Sequence, residues 1–230
     1  MSGHHRQGIT SSTLTDLVDR ARRLIVPGER RLLGIAGPPG VGKSTLAAAL
    51  CGELGADAVR VPLDGFHLAN EVLADLGLTS RKGAPETFDA SGFRALLIRL
   101  RAQDEPIVYA PEFHREIEQA VSGALPIPRD APLIVVEGNY LLLNSGPWQG
   151  IRDLLDDVWY LTLADDTRLD RLIHRHQLHG RSAVDAKAWT FGNDERNAAV
   201  VEASAIRADL VVSLSPNASG EASSGNPEES

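Results

Sequence analysis

Eight residues constrain this chain more than any others. Gly37-Pro38-Pro39-Gly40-Val41-Gly42-Lys43-Ser44 fits the spacing G-x-x-x-x-G-K-[ST] at every fixed position. Before it lies the apolar run Leu32-Leu33-Gly34-Ile35-Ala36, which reads as a buried strand, and from Ser44 an Ala/Leu-rich stretch reads as a helix. The glycines therefore occupy a strand-to-helix turn. Glycine tolerates positive φ, so successive N–H groups can point inward and, with the positive helix end, hold a multiply charged anion. A nucleotide polyphosphate is such an anion. Lys43 is placed to reach its β- and γ-phosphates, Ser44 to ligate Mg²⁺ on the same oxygens, and Thr45 belongs with the loop.

The rest of the chain suits a small partner. The 230 residues carry a formal net charge of -8, which argues against a broad nucleic-acid or anionic-membrane surface. No run approaches the span of a membrane helix and no signal-peptide core precedes the first strand, so a cytosolic protein is expected. Cys51 is the single cysteine, which excludes an internal disulfide and suits a reducing compartment. A homodimer is compatible with the sequence.

Apolar periodicity divides the chain into one α/β unit. Residues 1–11, with His4 and His5, read as a loose terminus. Residues 12–214 form the domain, with a small helical lid at about 168–190, and residues 215–230, rich in Ser, Gly and Glu, read as a disordered tail. Leu14, Leu17, Val18, Ala21, Leu24 and Ile25 recur at helical spacing, and Gly52 and Gly55 break the helix after the loop. Ala58 to Leu63 reads as a strand ending at Asp64, Ala90 to Ala102 as a helix, and Ile107 to Tyr109 as a brief strand before a loop at Pro111 to Arg115. Leu133 to Val136 is a strand covered on both faces, ending at Glu137, and Asp157 to Leu163 is another. Asp165-Asp166-Thr167 is expected to cap a long basic helix, and Ala208 to Leu214 closes the sheet. The expected architecture is a three-layer α/β/α sandwich with a mostly parallel sheet, a phosphate-binding-loop NTPase fold.

Two acids lie where ligands bind in open parallel sheets, outside the carboxyl ends of the strands. Asp64 could accept a proton from an attacking hydroxyl, and Glu137 could hold a metal-bound water or orient an acceptor. The ordinary alternatives are a loop cap for Asp64 and a structural salt bridge for Glu137. Lys43, Arg171 and Arg175 are candidates to neutralise the site, the two arginines being four apart on one side of a helix. Arg168 and Arg181 read as its solvated face. His174, His176 and His179 do not share a face at zinc-ligand spacing.

These stretches together resemble the P-loop kinases of the pantothenate kinase, uridine kinase and phosphoribulokinase group, and within it the bacterial nucleoside/nucleotide kinase-like proteins, some described as fructose-import kinases. The resemblance covers roughly Leu14 to Leu214. Arg81-Lys82-Gly83-x-Pro85-Glu86-Thr87-Phe88-Asp89 is similar to the pantothenate kinase stretch R-K-G-x-P-E-S-Y-D. It implies ATP and Mg²⁺, Asp64 as base, Arg175 as lid arginine and Asn197 near the acceptor pocket. Further acceptor-side candidates are His67, Arg81, Tyr109 and His114. Where pantothenate kinases carry Y-S-H-x-x-Y-D this chain has Tyr109-Ala110-Pro111-Glu112-Phe113-His114-Arg115, so the pantothenate pocket is not reproduced. Close relatives carry Asp where this chain has His114, which is either a neutral donor to substrate or a surface residue. The implied reaction is phosphoryl transfer to a hydroxyl of a small metabolite. A nucleotide switch acting on a protein partner is the rival, although the chain lacks a guanine-reading N-K-x-D.

Overall fold

A computed structural model describes residues 10–214. The loose terminus and the disordered tail expected from composition fall largely on residues 1–9 and 215–230, which lie outside the described residues. Six strands form one sheet in the order β1-β8-β7-β2-β6-β3, where β1 is Thr10–Ser12, β2 Arg31–Ala36, β3 Ala58–Pro62, β6 Leu133–Glu137, β7 Asp157–Thr162 and β8 Leu210–Leu214. Every pairing within it is parallel. Parallel pairing needs crossover helices, and these cover both faces. On one face α1 (Leu14–Leu24) and α2 (Lys43–Leu54) bury Leu17, Val18, Leu46 and Leu50 against Leu33, Ile35, Val135 and Trp159. On the other, α4 (Ala90–Ala102) buries Phe93, Leu97 and Leu100 with Leu32, Ile134, Val136 and Tyr140. The three-layer sandwich expected from the alternation is the observed fold, and no described helix is long and apolar enough to cross a membrane.

Several local expectations shift. Thr10 and Ser11, read as part of the loose terminus, pair in parallel with Val212 and Ser213 at the sheet edge. Gly52 does not break α2, which runs on to Leu54 and is stopped by Gly55 at φ +60°. Ala164, not an acid, occupies the cap position of α5 (Asp165–Leu178), and Asp165 and Asp166 fill its first turn, where negative charge suits the positive helix end. Beyond α5 come α6 (Ala183–Trp189), a single π-helical turn at Thr190–Asp194 and α7 (Glu195–Glu202).

The largest difference lies at Pro111 to Arg115. Most of this expected loop is strand: β4 (Ile107–His114) pairs antiparallel with β5 (Gln119–Pro128), with a register irregularity between Ala110 and Glu112. The short helix α3 (Asn70–Asp75) precedes it, after a 3-10 turn at Leu63–Phe66. Buried Arg30 fastens the hairpin base, donating to the carbonyls of Ala131 (3.0 Å), Leu100 (3.1 Å) and Pro128 (2.5 Å).

The distal hairpin lies on the turn after β3 because residue 65 is glycine. A Cβ there would sit 2.3 Å from the Pro111 carbonyl oxygen, so backbone would have to move. Gly65→Ala is therefore expected to cost about 1–3 kcal/mol and to lower Tm by about 2–4 °C per kcal/mol. Thermal unfolding identical to wild type would contradict that close approach.

Candidate active site

The strand order brings the three sequence-marked acidic and phosphate-binding elements to one edge. β6 lies between β2 and β3, and its last residue, Glu137, is in register with Ile35 and Pro62. The phosphate-binding loop leaves β2, Asp64 follows β3, and Glu137 ends β6, so all three meet at the carboxyl end of the sheet.

Within the loop, Gly40 (φ +81°) and Gly42 (φ +103°) adopt conformations that other residues rarely take. Gly40 also has no room for a side chain, since a Cβ would lie 2.7 Å from Leu172 Cγ and 2.9 Å from the Arg168 carbonyl. Helix α5 thus rests directly on the loop. Arg171 Nη1 is 3.8 Å from the equivalent point on Gly42, which puts this arginine beside the phosphate cradle.

Lys43 is buried and donates from Nζ to the Pro38 carbonyl at 3.0 Å. Burial pushes its pKa down to about 8, against the opposing pull of Glu137 and then Asp64, while Arg175 and Arg168 push the same way as burial. Ser44 Oγ donates to Glu137 Oε1 at 3.0 Å. Burial first, and Asp64 second, hold the Glu137 carboxyl above the ordinary range, opposed by Lys43, Ser44 and Arg60. Arg60 lies 3.8 Å from Glu137 and 3.6 Å from Glu112, linking the site to the hairpin. The charge of Asp64 pulls the Lys43 pKa up and holds that of Glu137 up, and Arg115 Nη2 lies 3.6 Å from its Oδ2.

Arg175 is on the same side of α5 as Arg171. Burial, then the like charge of Arg115, lowers its pKa, while Asp194 and Asp64 oppose. His67 packs between Phe88 (centroids 4.0 Å apart) and Phe113 (5.1 Å), with Nδ1 2.9 Å from the Asp64 carbonyl; burial lowers its pKa. Asn197 is buried, with its Nδ2 3.9 Å from the Cβ direction of Gly83, whose carbonyl accepts from Tyr140 Oη at 2.5 Å. His114 is half-buried, its Nε2 without a hydrogen-bond partner.

Two acceptor-side candidates stand apart. Arg81 is on the surface in an ion pair with Glu86 at 2.7 Å, and Tyr109 is 56% exposed while its neighbours Val108 and Ala110 turn inward. Arg168, expected on a solvated face, is instead 1% exposed and joins Asp165 (3.0 Å) to Glu195 (2.6 Å) across α5 and α7. Arg181 is exposed as expected, beyond the end of α5, with its guanidinium carbon 4.0 Å from the Trp189 ring centroid. Residues that sequence reasoning did not single out are Arg60, Arg115 and Asp194; the last accepts His176 Nε2 at 2.7 Å. Nothing local in the sequence marks Asp194.

The donor set fits a hard cation. Among the described residues no cluster of three or more His, Cys, Asp or Glu could hold a metal by itself. Ser44 and Glu137 offer two oxygen donors beside the phosphate loop, which suits an ion taking its remaining ligands from phosphates and water.

Comparison with known proteins identifies the group. A family model described as "ATPase family associated with various cellular activities (AAA)" matches residues 33–121. A protein of Schizosaccharomyces pombe named "Putative uridine kinase" is 34% identical over 212 residues, which is 87% of this chain and 90% of that protein. The crystal structure of a "putative fructose transport system kinase" from Silicibacter sp. TM1040 superposes with a TM-score of 0.78 at 37% identity, over 87% of this chain and 99% of that one. The chain belongs to the P-loop kinases of the uridine kinase and pantothenate kinase group. A pantothenate kinase of Corynebacterium diphtheriae is 31% identical over 78% of this chain and 59% of its own length.

In this P-loop kinase the depressed Lys43 pKa is expected to make nucleotide binding pH-dependent. A polyphosphate selects the ammonium form, whereas the empty site holds more neutral amine as pH rises past about 8. ATP affinity is expected to weaken from about pH 8 toward about pH 10, with proton uptake on binding in that window. Calorimetric titration in buffers of different ionisation enthalpy measures the uptake, and none near pH 9 (about a unit above the Lys43 value) would contradict the assignment.

Proposed function

We propose that this P-loop kinase moves the γ-phosphoryl group of ATP to a hydroxyl of a small metabolite of the nucleoside, sugar or pantothenate-like class. The observation that carries the reading is the convergence of the phosphate-binding loop after β2, Asp64 after β3 and Glu137 at the end of β6 on one sheet edge. The loop amides and Lys43 hold the β- and γ-phosphates, and Arg171 and Arg175 reach them from α5, which with α6 serves as the lid. Asp64 orients the acceptor hydroxyl and takes its proton as the oxygen–phosphorus bond forms and the bond to the ADP oxygen breaks. Ser44 and Glu137 would hold Mg²⁺, which when bound supplies charge neutralisation between the phosphates and the acids. His67, His114 and Asn197 line the acceptor side; Arg81 and Tyr109 are assigned no contact. The acidic balance and single Cys51 favour action in the cytosol.

A mass-spectrometric screen of nucleosides, sugars and vitamin precursors with ATP and Mg²⁺ tests the reading, a gain of one phosphoryl group being the expected product. Hydrolysis stimulated only by a protein partner, with no small acceptor modified, would replace it with the switch reading.

A further inference from the structure

We propose that Arg115, at the tip of the β4–β5 hairpin, is a second phosphoryl-binding arginine, acting from the hairpin on the group that Arg175 meets from α5. The inference rests on the kinase reading and concerns a residue that the phosphate-binding motif does not contain.

The backbone at this tip is held firmly. Gly65 lets Pro111 approach the Asp64 turn, and Glu118, a non-glycine residue at φ +53°, reverses the chain. Its carbonyl accepts from Lys82 Nζ at 2.9 Å and Asn70 Nδ2 at 3.3 Å, and Lys82 also lies over the Phe113 ring. Left-handed backbone at a non-glycine residue persists where surrounding contacts over-determine it, and such positions cluster at functional sites.

The guanidinium, by contrast, is lightly committed. Its side chain is 43% exposed, 6.0 Å from the Phe113 centroid and 3.6 Å from Asp64. A single exposed ion pair of that length is weak, so an incoming ligand can displace it. Its partner Asp64 stands at the sheet edge where the phosphate-binding loop and Glu137 converge, and after burial the like charge of Arg115 adds to the lowering of the Arg175 pKa. In the empty site Asp64 supplies the countercharge to Arg115, and an anion entering beside Asp64 and Lys43 can take that place. The anion that must pass this point is the transferring phosphoryl group, whose three equatorial oxygens carry the charge of the transition state. On substrate binding Arg115 leaves Asp64 free to accept the hydroxyl proton and turns to those oxygens.

The discriminating probe is ADP with aluminium fluoride, a mimic of the planar transferring group, because it needs no acceptor. R115A is expected to bind ADP within about threefold of wild type, yet to lose about 10²-fold in affinity for ADP with aluminium fluoride and in acceptor-free ATP hydrolysis. R115K should recover part of both, keeping charge but not the forked donors. Equal affinity of wild type and R115A for ADP with aluminium fluoride overturns the assignment and leaves Arg115 to an anionic group of the acceptor. An equal fall for ADP alone overturns it too, pointing to a disturbed hairpin. These measurements are separate from the acceptor screen, so failure of the kinase reading and failure of this one are distinguishable.

Discussion

Asp64→Asn is expected to bind ATP at least as tightly as wild type and to transfer phosphoryl groups about 10³-fold more slowly. The two effects have one cause. Asparagine keeps the shape of aspartate but neither accepts a proton nor carries charge, so in the proposed reaction the acceptor hydroxyl loses its base while the phosphates lose a repelling neighbour. The charge of Asp64 supports protonated Lys43 and disfavours ionised Glu137, so its removal shifts both groups as well. Lys43 falls further from its ordinary value, and Glu137 ionises more readily. Net negative charge facing the γ-phosphate still drops, which is why affinity holds or rises. Single-turnover transfer and calorimetric ATP binding, measured on the same preparation, check both halves. Transfer at the wild-type rate would remove Asp64 from the chemistry, and lost ATP binding would make it a structural cap.

The legible parts of this site are those whose signal is local. A strand, a glycine-rich turn and a helix succeed one another within about two dozen residues, and Lys43 and Ser44 are placed by spacing alone. Asp64 and Glu137 were legible because aliphatic runs ended at them. The hairpin was not: Pro111, Pro126, Pro128 and Gly123 interrupt its strands, and a two-stranded ribbon away from the main sheet tolerates them. Burial of Arg168 was also hidden, since charge on a helix usually marks its solvated side and the compensating Glu195 lies 27 residues further on. The same holds for Asp194, brought to His176 by a π-helical turn that no sequence period announces. Tertiary contacts, not propensity, decide these positions.

Lys43→Met is expected to abolish most activity, by about 10³-fold in kcat/KM, while leaving the fold more stable. Lys43 is 8% exposed and its pKa is pushed down to about 8, so near neutral pH the empty protein holds a cation in surroundings that disfavour it. A fall from 10.5 to about 8 corresponds to roughly 3 kcal/mol of native-state penalty. Methionine fills similar volume without charge and forfeits the hydrogen bond to Pro38, worth about 1–3 kcal/mol, while the attraction of Glu137 is already contained in the shifted Lys43 pKa and Arg60 still faces Glu137 at 3.8 Å. The balance is a modest gain, read as a Tm higher by a few degrees, at about 2–4 °C per kcal/mol. Its pH dependence has a definite sign. The penalty is fully present below about pH 8, where lysine is protonated in both states, and shrinks toward about pH 10 as the folded protein sheds the proton first. The Tm advantage of the variant over wild type should therefore narrow across that interval. Saturating ATP should reverse the order at neutral pH, because only wild type gains the ligand's stabilisation in full. A variant less stable than wild type at pH 7 (well below the Lys43 value), without nucleotide, would show that Lys43 is a structural cation and not a charge held in reserve for phosphate.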